Sequence, residues 1–276
     1  FYPANPDLAS EKGESIAIIS AAKSFGKGAP ANGGGGGNSH NSGGGGGSNA
    51  GAGGFGGYQL ESSPCNGGPG LDNRGIAGKP LAYSNAANKI FMGGGGGAGQ
   101  SNNPEEFQSN GGNGAGIIIM MGNKLKSNGF KILANGNDAV SCANTGSGCH
   151  EGMGGGGAGG TGLIKIVNYL DPASIELKGG NGANLTASGF LKVGPGGGGG
   201  GGAAWISQAS LPGNVNVANS AGTNGVCTGY ANDPWGATAG SNGQTLFNVQ
   251  IPVDNIPFSP NIDSVRFNLN QPTCNS

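Results

Sequence analysis

The sequence predicts a mainly β and irregular fold with little or no α-helix, in which a polyglycine II helix lattice packs beside short β-strands and hairpins. Two observations predict it. Glycine supplies 65 of 276 residues, against about 7% in an ordinary globular chain. The glycines also fall in tracts that lead into short apolar segments, a repetition that a flexible linker would lack.

The tracts come first in the argument because they decide the rest. Runs occupy 33–37, 43–47, 51–57, 93–97, 154–162 and 196–202. Glycine has no β-carbon, so such a run can adopt an extended threefold helix rising about 3.1 Å per residue, with no internal hydrogen bonds. Every N–H and C=O then points sideways, and neighbouring tracts can satisfy one another where one alone would stay disordered.

The apolar runs 16–19, 117–121, 163–167, 175–177 and 246–251 read as β-strands. Glycine tracts lead into extended stretches from Gly51, Gly111, Gly157 and Gly197, and return stretches follow at 124–135, 171–178 and 214–218. Asn128-Gly129 and Pro212-Gly213 turns between them predict short hairpins. The unit is therefore tract, strand, turn, strand, tract. Counted from Tyr58, Ile117, Leu163 and Ala203 its spacing is irregular, which argues against a strict solenoid. Phe25, Phe55, Phe91, Phe130, Phe190 and Trp205 are expected to form a modest core beside the tracts.

Composition also removes function classes. Charged residues are 10% of the chain and the net charge is −1, so no basic footprint for nucleic acid exists. No apolar stretch approaches the roughly 20 residues of a membrane helix. The GxGxxG strings arise from composition, and no Gly-Lys-Ser/Thr follows any tract. His40 and His150 lie far apart, and the seven-residue gap between Cys142 and Cys149 fits a zinc pair poorly, even with His150, Asp138 and Glu151 nearby. No nucleophile elbow or triad is visible, so no catalytic residue and no metal site is assigned, and an enzyme is not expected. Loops carrying Asp138, Asp233, Asp254 and Asp263 with asparagine neighbours offer oxygen ligands for structural calcium, although no EF-hand or nonapeptide repeat is present. Asn184-Leu185-Thr186 is an N-glycosylation sequon that would usually be silent in a bacterium.

Five cysteines favour an oxidising, extracellular compartment. Cys142 with Cys149 closes a turn-rich loop, Cys65 with Cys227 is the natural second pair, and Cys274 is left over. The chain starts at Phe1 without an initiator Met or leader, which reads as a processed product or excised segment. Residues 1–14 read as a linker, 15–245 as a glycine-rich repeat domain, and 246–276 as a C-terminal β segment. The loop 222–242, with Tyr230 and Trp235 and no strand pattern, is the candidate contact surface, since rigid scaffolds display recognition on loops.

Tracts such as GGGGGAGQ and GGGGAGGTGLIKI, alternating with MMGNKLKSNGFKILANGND, resemble the glycine-rich domains of large Bacteroidota cell-surface adhesins exported by type IX secretion, the SprB-like proteins of gliding motility. SVRFNLNQPTCNS, from Ser264 to Ser276, is similar to the opening strand of the immunoglobulin-like repeats in such adhesins. The resemblance implies a non-catalytic structural or adhesive module, a stiff spacer or display platform for attachment or gliding. Its partners would be other modules of the same long chain, surface polysaccharide or another cell-surface protein. Asp263-Ser264-Val265 matches the short O-glycan sequon of those bacteria, making Ser264 a candidate attachment site. Polyglycine lattices also occur in phage tail-fibre tip adhesins, in receptor-kinase extracellular domains and in ice-binding proteins, so a phage tip or an ice binder is the alternative reading.

Overall fold

A computed structural model describes residues 9–61, 73–84, 89–103, 106–142, 149–186 and 192–249. Among them there is no α-helix, only one-turn 3-10 helices at Ala21–Lys23 and Thr228–Tyr230. Strands β1 (Ile117–Leu125), β3 (Thr161–Tyr169), β5 (Ala203–Ile206) and β7 (Gln244–Leu246) form one parallel sheet in that order. Strands β2 (Lys131–Leu133), β4 (Ala173–Glu176) and β6 (Val215–Ala218) form a second parallel sheet.

The expected hairpins do not form. Each strand and its return strand lie in different sheets and pair with their counterparts one repeat away, so the turn between them is an arch. The reason is burial: Ile164 and Ile166 of β3, Ile206 of β5 and Ile175 of β4 share one core with Leu177. Ile118 and Met120 of β1 and Ile132 of β2 pack at its margin. A hairpin would place a strand and its return side by side in one sheet, whereas an arch lets each close on the other across an apolar layer. Fully burying such a side chain contributes about 1.5–3 kcal/mol. At the first arch Asn128 and Gly129 adopt left-handed φ values of 51° and 81°, which asparagine and glycine accept most readily. Both oxygens of Asp171, from the next repeat, accept the Ser127 and Asn128 N–H groups.

Strand pairing also corrects the spacing. Ile117 lies opposite Thr161, Thr161 opposite Ala203 and Ala203 opposite Gln244, offsets of 44, 42 and 41 residues. The repeat is regular from the segment at 109 onward. Counting from Tyr58 obscured it, because the tract 51–57 leads into no strand. The run 16–19 forms no strand either, and Phe130 is exposed rather than part of a core. Trp205 is buried, in a small cluster with Leu163, Tyr83 and Phe91 on the outer face of the first sheet.

Below the sheets the same chain segments continue as glycine tracts whose hydrogen bonds rotate from residue to residue. In 196–202, Gly196, Gly199 and Gly202 donate to Ala183, Gly180 and Leu177, whereas Gly197 and Gly200 donate to Gly44 and Gly47. Gly198 and Gly201 turn to Thr238 and Ser241. The tract 152–160 behaves alike: it donates to 94–100, 194–200 and 134–137 and accepts from 44–47, 112–115 and 180–183. It is thus enclosed on six sides. No side chain fits between such neighbours. A β-carbon on Gly156 would stand 2.1 Å from the Gly180 carbonyl oxygen, and one on Gly199 2.0 Å from that of Gly157.

At the outer row, side chains take over from backbone. Asn135, Asp138 and Ser141 accept the N–H groups of Lys178, Asn181 and Asn184 at 2.8, 2.6 and 2.9 Å. Asn181 and Asn184 do the same for Thr223 and Val226. Residues 9–14, expected as linker, join the assembly, because Ser10 and Gly13 donate to Gly37 and Gly34. Residues 1–8 and nearly all of the expected C-terminal β segment, from residue 250 on, lie outside the described residues, as do Phe190, Ser264, Cys274, Asp254 and Asp263.

Candidate functional site

The candidate contact loop is shorter than the sequence suggests. Gly222, Gly225, Gly240 and Gly243 are hydrogen-bonded tract residues, which leaves 227–236 as the loop. It is wound tightly: Cys227 and Asp233 pair as an antiparallel bridge, and Ala231, Asn232 and Trp235 all hold positive φ, at 53°, 59° and 42°. Left-handed backbone at a tryptophan is costly and persists only where surroundings over-determine it. Here they do. The Trp235 N–H reaches Asp233 Oδ1 at 2.9 Å, its indole Nε1–H donates to the Gln59 carbonyl at 2.9 Å, and its own carbonyl accepts the Tyr58 N–H at 2.8 Å.

Around Trp235 the fold assembles an alternating stack of rings and cations. Arg74 lies 4.8 Å from the Phe55 ring centre and 4.6 Å from that of Tyr58. Tyr58 meets Trp235 edge-on at 6.1 Å. Lys192 then stands 4.7 Å from the Trp235 ring and 5.9 Å from that of Tyr230. Its ammonium pairs with Asp233 at 2.9 Å, with Glu61 at 3.9 Å. The hydrogen bond to Asp233 raises the Lys192 pKa, and the same bond, helped by the Trp235 N–H, lowers that of Asp233. Both charges are therefore fixed across the physiological range. Tyr230 and Trp235, singled out from the sequence, come together. Phe55, Arg74 and Lys192 were missed, since their distance in sequence gives no hint that three tract ends meet there.

The cysteines divide. Cys142 and Cys149 are joined by a disulfide. Cys227 is a free, buried thiol, and Cys65, expected to pair with it, lies outside the described residues. Cys227 Sγ donates to the Val193 carbonyl at 3.3 Å, and burial pushes its pKa up to about 12, which leaves it inert as a nucleophile.

A second polar cluster gathers His40, Asn102, Glu106, His150 and Glu151. His150 Nδ1 lies 3.4 Å from Glu106, and His40 Nε2 2.9 Å from the Asn102 amide. Glu151 is buried, accepts the Asn102 N–H at 2.9 Å, and has its pKa raised by burial, with the Glu106 charge adding to it. Among the described residues no group of three or more His, Cys, Asp or Glu could hold a metal ion. The calcium candidates Asp138 and Asp233 are engaged by Asn181 and Lys192. No helix is long and apolar enough to cross a membrane among the described residues. No known protein family matches the chain, and neither characterised proteins nor solved structures give a match.

Proposed function

We propose that this chain is a non-catalytic structural and adhesive module of a large secreted cell-surface protein, in which a polyglycine II lattice serves as a stiff platform that displays the loop around Trp235. The observation that carries the reading is the return of each tract's hydrogen bonds to the same neighbour every third residue, the period of a threefold helix. A platform of this kind suits display, because its backbone is held from all sides while the strained loop is braced at one end. The Cys142–Cys149 disulfide supports an oxidising, extracellular setting. The inert Cys227 thiol and the Lys192–Asp233 ion pair beside Trp235 support a non-catalytic role. Attachment or gliding is the context that the resemblance to SprB-like adhesins suggests, with surface polysaccharide or another cell-surface protein as the partner.

Far-ultraviolet circular dichroism tests the lattice: a polyproline-like signal with some β content is expected, and a predominantly helical spectrum would sink it. Hydrogen exchange sharpens the test. Amides of 152–160 and 196–202 should exchange far more slowly than those of exposed loops, whereas free exchange throughout the tracts would make them linkers. For the adhesive role, cells displaying the full protein with Tyr230→Ala and Trp235→Ala should lose attachment while keeping surface expression.

A further inference from the structure

Among the described residues the tract 93–99 has neighbours on every side but one. It donates to 11–14, 42–48 and 109–115, and accepts from 34–37 and 152–158. On the remaining side an open groove runs along it, walled by 9–16 and 108–116. Three adjoining cavities of about 200, 360 and 170 Å³ make up this groove, overlapping at Glu11, Ala98, Asn110 and Glu14. Its floor is formed by this tract, from Met92 and Gly93 through Gly95, Gly96, Ala98 and Gly99 to Ser101. Of the floor glycines, Gly95 is the one with room for a side chain. A β-carbon on Gly95 would meet nothing nearer than 3.0 Å, whereas on Gly93, Gly94, Gly96, Gly97 and Gly99 it would stand within 2.4 Å of backbone.

The groove is bordered by backbone groups that have no protein hydrogen-bond partner. Among the described residues the N–H groups of Gly111 and Gly114 and the carbonyls of Gly93 and Gly96 have no hydrogen-bond partner. At one end it opens beside β1, where Ile117, Ile119 and Met121 are exposed on the outer face and Met92 and Ile16 are exposed nearby. One repeat over, the molecule displays what covers this face. There Leu163, paired with Ile119, lies under Ile90 and Phe91, residues that lead directly into the tract 93–99.

We propose that the groove is a docking site for an extended, glycine-rich segment of another polypeptide, carrying an apolar end that covers Ile117, Ile119 and Met121. The segment continues the tract packing already present: threefold backbone against 93–99, hydrogen bonds to Gly111 and Gly114, and apolar residues over β1 as 90–91 lie over Leu163. The proposal rests on the polyglycine II reading.

The probe is a synthetic peptide with the sequence of residues 89–100, KIFMGGGGGAGQ, titrated into the full chain and followed by isothermal calorimetry and by amide shifts. One-to-one binding is expected, with shifts at Gly111 and Gly114. Ala98→Leu, which fills the floor, and Ile119→Asp, which leaves the tracts untouched, should each weaken binding about tenfold or more. A peptide with valine at the positions of Gly94 and Gly97 should not bind. Absence of saturable binding to the unaltered chain, or unchanged affinity in both variants, overturns the docking site. The melting of Gly156→Leu separates the two readings: if it collapses while the peptide fails to bind, only the groove falls, and if it is unchanged, the lattice and the groove fall together.

Discussion

The segments 152–160 and 161–169 are one continuous stretch of chain with two kinds of neighbourhood. In the first, successive N–H groups reach three different segments in turn. From Thr161 onward the backbone pairs only sideways, with β1 and β5. Side chains make the difference. A strand must keep its two faces for side chains, so it has two backbone neighbours, and the apolar core supplies the third dimension. Without β-carbons the backbone itself can be approached from all sides, and hydrogen bonds replace the core.

The largest expected effect breaks the tract half. Gly156→Leu forces a β-carbon to within 2.1 Å of the Gly180 carbonyl oxygen, inside a segment that is enclosed on six sides. Chemical denaturation should register a loss of more than about 4 kcal/mol, or no folded protein. Ile164→Ala tests the strand half. It leaves a cavity in the core between the sheets and should cost about 3 kcal/mol with the fold retained. If the two substitutions proved equally damaging, the contrast between the halves would lose its basis.

Removing the Cys142–Cys149 disulfide with Cys142→Ser should lower stability by about 2 kcal/mol, as suits a short closed loop. Acid and base titration separates the halves by sign. Glu176, held by Lys131 and Lys178 at the sheet end, has its pKa lowered to about 2, so its contribution is full above the ordinary carboxyl range and fades as pH falls toward 2. Glu151, buried beside the tracts, has its pKa raised, so its contribution is full below the ordinary range and declines as pH climbs through the raised value. In denaturation against pH, Glu176→Gln should flatten the acid limb and Glu151→Gln the later decline. Smallest of all, Gly213→Ala in the arch before β6 meets nothing within 4 Å and should change stability by less than about 0.5 kcal/mol.

The tract-strand-turn-strand-tract order was legible in the sequence because glycine content and apolar runs are local signals. The partition of those strands was not. Asn128-Gly129 announces a turn, but whether a turn closes a hairpin or an arch depends on which faces find an apolar partner, and Ile132 pairs beside Ile175 and joins the shared core instead of pairing beside β1. The regular repeat was masked because its anchors are hydrogen-bond registers such as Ser141 with Asn184 and Asn184 with Val226, not apolar residues. Polar residues recurring every third position at Asn135, Asp138 and Ser141 were the overlooked sign. Of the candidate site, Tyr230 and Trp235 stood out as aromatic residues in a loop, while Arg74 and Lys192 reach them only through the meeting of distant tract ends.

The amide and hydroxyl side chains along the outermost row carry a consequence for growth. An assembly whose units all offer donors and acceptors sideways has no natural boundary, and in bulk it would extend like a crystal. Asn135, Asp138, Asn181 and Asn184 occupy the sites on which a further layer would nucleate, so that face is passivated by the sequence itself. That face is thereby kept from adding a further layer, much as charged edge strands keep a sheet from recruiting its neighbours.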